Sequence, residues 1–502
     1  MKDKYNLLPL FALLIITLWL RLVNLGYSDY LGDEIKALAS PAPGQSLANF
    51  LLQQRKGPIE FLVTYLVRLF HPSLANHFLT RLPFALVGIL GVFIFYRLVK
   101  MHCGARPALY ATLLLATNGL FIGLNRIVQY QPFMILFSLL ALYAFSLAIE
   151  RERWRVVGVY TGMIFWAIAI LTHYDGVFIA PFAVYLLYRW YTYSSTLPPG
   201  TRRWHLALSA VLSAMLLASF YIPFVASVNK ATLAYWEGRI IESPTRLSVP
   251  SSLFTFKLYN PLLAIYLYPV LMLLSLFRFR MVLPLLVWFL FPWIVLEGMI
   301  YDPGTHIYVY LLPATAMAGI GAAVLEDWVI RLVGDRIGKQ TGRWLSGAGL
   351  TAIFIFLALL SHFIFVDTTP EYPWEQRGFL LWTFGEPVTE YHIRAYGFHY
   401  NRHWEDISAF VREDNEYGYY FSNEKYSIAS KYVPLPYYAE RAGYYIHIYR
   451  PQSFRNRYRG EKARYWVENY PPVKVFEVNG RRVSEIYKMP PGSLTEIKNM
   501  GY

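Results

Sequence analysis

Residues 6–25 read NLLPLFALLIITLWLRLVNL, with a single charge, Arg21, near the end. A run of this length and apolarity crosses a bilayer as a helix, which takes about 20 residues. Comparable runs follow near 82–99, 107–125, 132–149, 156–172, 177–191, 205–226, 260–277, 281–300, 307–325 and 344–366. The expectation is about eleven spans. Composition agrees. Of 502 residues, 56% are hydrophobic and only 16% charged, whereas soluble chains carry roughly a quarter charged residues. So apolar a chain cannot hide its side chains in a water-soluble core, and lipid must be its solvent. No secretory cleavage site stands out after the first run, which is expected to stay as an uncleaved anchor.

The formal net charge is +14, which in a soluble domain would suggest nucleic acid. Here the basic residues collect in alternate loops. These are Arg97/Lys100/Arg106, Arg151/Arg153/Arg155, Arg189/Arg202/Arg203, Arg278/Arg280 and Arg331/Arg336/Lys339/Arg343. Such clusters mark the cytoplasmic side of a membrane protein, so membrane lipid replaces nucleic acid as the expected partner. With the N-terminus inside, 26–81, 126–131, 173–176, 227–259, 301–306 and everything after about Val366 lie outside the cytoplasm. Ile59–Phe70 is apolar but too short to span, and reads as an interfacial helix. Counting it as a span would move every later basic cluster outside. The lone cysteine, Cys103, excludes an internal disulfide and a cysteine-cluster metal site.

The tail is polar and rich in Tyr, as in Tyr417–Phe421 and Tyr444–Tyr449, and Trp404–Val411 reads as a helix. The chain is therefore expected to be a polytopic α-helical membrane protein. A transmembrane module over 1–366 includes the outer loop 26–81, and a small extracytoplasmic α+β domain over 367–502 follows. A plasma (inner) membrane is the expected location.

Polar residues gather at the outer helix ends. Asp33-Glu34 follows the first span, and Arg55-Lys56-Gly57-Pro58 opens the interfacial helix. Further on come Asn125-Arg126-Ile127-Val128-Gln129-Tyr130-Gln131-Pro132, Thr172-His173-Tyr174-Asp175-Gly176 and Tyr301-Asp302-Pro303-Gly304-Thr305-His306. A base with cations able to hold phosphate is the set that moves a glycosyl group from a phosphate to a hydroxyl. Each residue also has a plainer reading. Asp33 would be an N-cap with Glu34 in the first turn. Arg126 would snorkel, His173 and His306 would be hydrogen-bonded interface residues, and Asp175 and Asp302 would cap helix ends. A divalent cation held by Asp33, Glu34 and a histidine is compatible with the sequence, which selects no particular metal.

The order of these motifs resembles the GT-C superfamily of membrane glycosyltransferases, in the branch of the protein O-mannosyltransferases and lipid A aminoarabinose transferases (glycosyltransferase families 39 and 83). The resemblance is carried by Arg21 to Gly26, Asp33-Glu34, Lys56-Gly57-Pro58 and Arg81-Leu82-Pro83. It implies Asp33 as general base and Glu34 as a group that orients the acceptor or assists a cation. It also implies Lys56 and Arg126 as contacts to the donor phosphate. Their place among the outer polar segments makes His173, Asp175 and His306 candidate pocket residues. Three departures are visible. Gly57 replaces the first proline of a Lys-Pro-Pro element, Gln129 and Gln131 stand where many relatives have Asp, and His306-Ile307-Tyr308 replaces Arg-Tyr.

Outside the cytoplasm there is no nucleotide-sugar pool. The implied donor is a polyprenyl-phosphate sugar, and the acceptor a hydroxyl of protein, lipid or glycan. Two other readings compete. A flippase or transporter for a lipid-linked saccharide would carry charged span centres and repeated halves, which this chain lacks. An assembly subunit without chemistry is opposed by the intact Asp33-Glu34 pair.

Overall fold

The first apolar run forms α1 (Leu7–Leu22), and Asn24 ends it in the left-handed region at φ 55°. The computed structural model describes residues 7–193, 197–228, 266–300, 304–369, 396–438, 441–452 and 461–493, with isolated positions between 230 and 259 and the segments 378–380 and 382–383. Asp302, most of 227–259 and the start of the 260–277 span lie outside the described residues.

The chain divides into two compact units. The first comprises Met1–Val23, Ser40–Pro72 and Arg81–His362; the second comprises Asn24–Ala39, Ser73–Thr80 and Phe363–Tyr502. These borders differ from the expected division at 366. Two pieces of the first outer loop, one of them carrying Asp33 and Glu34, are built into the C-terminal unit.

The first unit is helical. After α4 (Ile59–Phe70) come α5 (His77–Cys103), α6 (Ala105–Thr117), α7 (Gly119–Asn125), α8 (Gln131–Glu150), α9 (Val157–Thr172), α10 (Ala180–Tyr193) and α11 (Pro199–Ser227). Then follow α12 (Tyr268–Ser275), α13 (Phe279–Met299), α14 (Tyr308–Ile337) and α15 (Lys339–Phe365). Among the described residues, six helical stretches are long and apolar enough to cross a membrane alone, or seven with α6 and α7 as one bent span. The count falls short of the expected eleven for physical reasons. Helices α1 and α9 have 16 residues each, about 24 Å against a core of about 30 Å.

Tyr268–Met299 passes the length test as one stretch of 32 residues, yet it doubles back. Tyr268 Oη meets Thr315 at 3.2 Å and Arg278 meets Asp327 at 2.6 Å, after which Glu297 accepts from Tyr310 at 2.7 Å. The chain therefore reverses near Arg278, as two separate spans require. The helix α4 has the expected bounds. Its Glu60, Phe61 and Thr64 are buried while Leu66, Leu69 and Phe70 are exposed, an outward apolar face suited to lipid.

Small residues govern the packing. Every residue from Tyr308 to Val324 is buried, and Ala and Gly dominate from Ala314 to Ala323. A Cβ on Gly321 would lie 1.8 Å from the Leu271 carbonyl oxygen, and one on Gly319 2.5 Å from Ala111 Cβ. Thus α14 lies in backbone contact with α12 and α6, the arrangement small residues permit between membrane helices.

Helices α6 and α7 meet at a 61° bend, which frees backbone groups that lipid cannot satisfy. Asn118 Oδ1 accepts from the Leu120 and Phe121 N–H groups, and its Nδ2 donates to Tyr268 Oη. On the other side of the break, Arg21 donates to the Ala116 carbonyl and Ser361 to the Thr117 carbonyl.

In the second unit the strands β3 (Tyr420–Ser422), β4 (Tyr444–Ile448), β5 (Lys474–Val478) and β6 (Arg481–Lys488) form a sheet in the order β3-β4-β6-β5. Two short strands, β1 (Gly378–Phe379) and β2 (Trp382–Thr383), pair separately. The hairpin between β5 and β6 turns on Asn479 (φ 51°) and Gly480 (φ 76°), the pair of left-handed residues that such two-residue turns require. The helix α16 (Trp404–Asp414) contains the predicted Trp404–Val411, and Phe421, Tyr445, Trp466, Tyr487 and Met489 pack one core.

Substituting Gly321→Ala should lower stability by about 1–3 kcal/mol through overpacking against Leu271. Thermal unfolding of the purified protein in micelles checks this; an unchanged midpoint would contradict the close approach.

Candidate functional site

In the first unit, the chain leaves α7 at Arg126 and enters α8 at Gln131, and its side chains between these points are buried. Arg126 Nη1 donates to the Leu20 and Val23 carbonyls at 3.0 and 2.9 Å, closing the C-terminal end of α1. Its strongest charged neighbours are two other arginines, Arg81 and Arg21, all three buried.

Lys56 donates to Gln129 Oε1 at 2.9 Å, stands 3.3 Å from Glu60, and lies 4.7 Å from the Tyr130 ring centroid. Tyr130 in turn stacks on His173, with centroids 4.0 Å apart and planes 9° apart. His173 ends α9, and its Nδ1 accepts the Asp175 N–H at 3.2 Å. Asp175 Oδ2 accepts from His306 Nδ1 and from the Tyr308 hydroxyl, both at 2.6 Å.

Burial pushes the His173 imidazole down to about 4, so it is neutral. For Asp175, burial alone would raise the carboxyl; the His306 imidazole on Oδ2 works against this and holds the group below the usual carboxylate range. Because His173 Nδ1 already accepts the Asp175 N–H, the protons that hold this charge come from His306 and Tyr308. The donor atoms of His173, Asp175 and His306 all lie within 4.8 Å of one another.

In the second unit, Asp33 and Glu34 sit in α2 (Gly32–Ala37), whose N-cap is Leu31. The N-cap position therefore does not belong to Asp33. Glu34 Oε2 reaches back to the Leu31 N–H at 2.9 Å, and its side chain is fully buried. Asp33 is about one-third exposed, with Lys36 on Oδ1 at 2.8 Å and the Tyr396 hydroxyl on Oδ2 at 2.9 Å. Main-chain links fix this helix to the C-terminal unit. Gly32 N–H donates to Gln452, Tyr30 N–H to Tyr432, and Asp29 N–H to the Tyr400 carbonyl.

The sequence model of a family described as dolichyl-phosphate-mannose-protein mannosyltransferase matches residues 58–212. Among solved structures, ArnT from Cupriavidus metallidurans bound to undecaprenyl phosphate is 15% identical, with a TM-score of 0.52 over 97% of this chain and 98% of that one. The same protein in its apo state gives 0.51 and 15% over 95% and 96%. The chain has the GT-C fold. A second similar protein is the archaeal oligosaccharyltransferase AglB from Archaeoglobus fulgidus, in complex with an inhibitory peptide and a dolichol-phosphate. It is 14% identical with a TM-score of 0.51, over 87% of this chain and 64% of that one. A search of curated proteins found no match.

Within this unit the structure gathers Lys56, His173, Asp175 and His306, which the sequence scattered over three segments. It also adds Gln129, Tyr130 and Tyr308. Tyr308 was visible only as part of a departure from relatives, and no sequence signal marks Tyr396. The Gly57 departure has a steric cause. A Cβ there would stand 1.8 Å from the Leu171 carbonyl oxygen, so neither proline nor alanine fits where this chain crosses the end of α9.

Gly57→Ala should therefore push Lys56 off Gln129 and cost about 1–3 kcal/mol. A thermal midpoint equal to wild type would show that the chain yields there without strain.

Proposed function

We propose that the protein is a glycosyltransferase that moves a sugar from a polyprenyl phosphate to an acceptor hydroxyl at the extracytoplasmic membrane face. The observation that carries this reading is Lys56, held by Gln129 over Tyr130 beside the His173–Asp175–His306–Tyr308 network. The resemblance at Asp33 and the family match supply the reaction class, and the relatives seen with undecaprenyl phosphate and dolichol-phosphate suggest the carrier.

In this reading Asp33 takes the acceptor proton, and the freed oxygen attacks the anomeric carbon. The bond from that carbon to the phosphate oxygen breaks, and polyprenyl phosphate leaves with inversion. Lys56 and Arg126 offset the charge growing on the phosphate. Glu34 acts through the backbone, since its carboxylate holds the start of the helix that presents Asp33. Gln129 Nε2 and Gln131 Oε1 are buried with no hydrogen-bond partner among the described residues. A buried donor and acceptor of this kind suit the hydroxyls of a sugar. The basic loops support an orientation with the N-terminus in the cytoplasm and the C-terminal unit outside.

The test is release of radiolabelled sugar from membrane-extracted polyprenyl-phosphate sugars. Asp33→Asn should slow release at least about 100-fold at unchanged melting temperature, and Lys56→Met about 100- to 1,000-fold. Near-wild-type turnover in Asp33→Asn would refute the base. No release by any form, across several sugars and acceptors, would favour a carrier of lipid-linked saccharide.

A further inference from the structure

His173, Asp175 and His306 come from two separate stretches of chain, and their donor atoms lie within 4.8 Å of one another. We propose that these three side chains bind a divalent cation of the zinc class, leaving its fourth position open. Two imidazoles and one carboxylate form a tetrahedral donor set that suits zinc and leaves room for an exogenous oxygen.

Each ligand is held from behind. His173 is fixed by Tyr130 stacked on its face. Asp175 is aimed by the Tyr308 hydroxyl on Oδ2, the kind of outer hydrogen bond that orients a metal-binding carboxylate. Asp175 and His173 are almost wholly buried, while His306 retains 14% exposure and closes the cluster from its open side.

The fit requires two small changes: His173 Nδ1, 3.2 Å from Asp175 Oδ1, gives up the Asp175 N–H to turn its lone pair to the ion, and the His306–Asp175 pair opens. His306 Nδ1 donates to Asp175 Oδ2 across 2.6 Å, whereas two donors on a tetrahedral zinc stand about 3.3 Å apart. Opening by less than about 1 Å makes room for the ion. The His306 proton then passes from Nδ1 to Nε2, so the imidazole enters the site neutral. Asp175 keeps its negative charge, and the ion replaces the proton bridge.

What the ion would do rests on the transferase reading: its open position would take a phosphate oxygen close to Lys56. The binding itself does not rest on that reading, and its test uses no sugar. Tag-free full-length protein in nanodiscs is stripped with chelator and titrated with Co2+. One equivalent should give the intense visible absorption of tetrahedral Co2+, and His306→Gln should abolish it. Tyr308→Phe, which removes only the outer hydroxyl, should weaken binding about 10- to 100-fold. Absence of that spectrum in the wild type, or its persistence at equal affinity in His306→Gln, overturns the site whatever the outcome with sugar donors.

Discussion

The helical unit depends on a reciprocal exchange between two buried arginines. Arg21, in the last turn of α1, donates to the Ala116 carbonyl at the end of α6, while Arg126, just beyond α7, donates to the Leu20 and Val23 carbonyls at the end of α1. Each cation closes the other segment's helix end, where carbonyl groups lack intrahelical partners and the macrodipole favours positive charge. The 61° break between α6 and α7 can persist in an apolar surrounding only because its freed groups are met in this way, together with Asn118 and Ser361.

That break sets the path of the chain from Arg126 to Gln131, and hence the position of Gln129 and Tyr130. Lys56 is held by Gln129 and lies over Tyr130, and His173 stacks on the same ring. A structural device therefore stands directly behind the candidate site. Arg126 belongs to both: its Nη1 is committed to α1 carbonyls, and any contact with phosphate would have to use the rest of the guanidinium.

Close backbone approach is the second constraint. Glycine at 57, 319 and 321 lets chain segments meet where one methyl group would collide. At Gly57 this explains a departure from the motif of relatives that otherwise looks like erosion of function. In the other unit, Asp33 depends on the C-terminal fold rather than on the helices. Tyr396 and the main-chain links through Gly32, Tyr30 and Asp29 hold its helix. The C-terminal unit is thus a structural partner of the proposed base and not only an appendage after the last span.

The sequence by itself determined the membrane environment, most of the helical elements, the short helix Ile59–Phe70 and the mixed character of the tail. Those features follow from apolar length and local periodicity, which the chain carries residue by residue. Motif order also pointed to the GT-C fold. Tertiary structure alone decided that α12 and α13 form a hairpin, because a turn at Arg278 is set by contacts with α14 far along the chain. It alone joined His173, Asp175, His306 and Tyr308, and assigned the acidic pair to the C-terminal unit. It also gave the helix cap to Leu31 and its hydrogen bond to Glu34 instead of Asp33. Such outcomes depend on which distant backbone groups and side chains satisfy one another away from water, and no local pattern encodes that pairing.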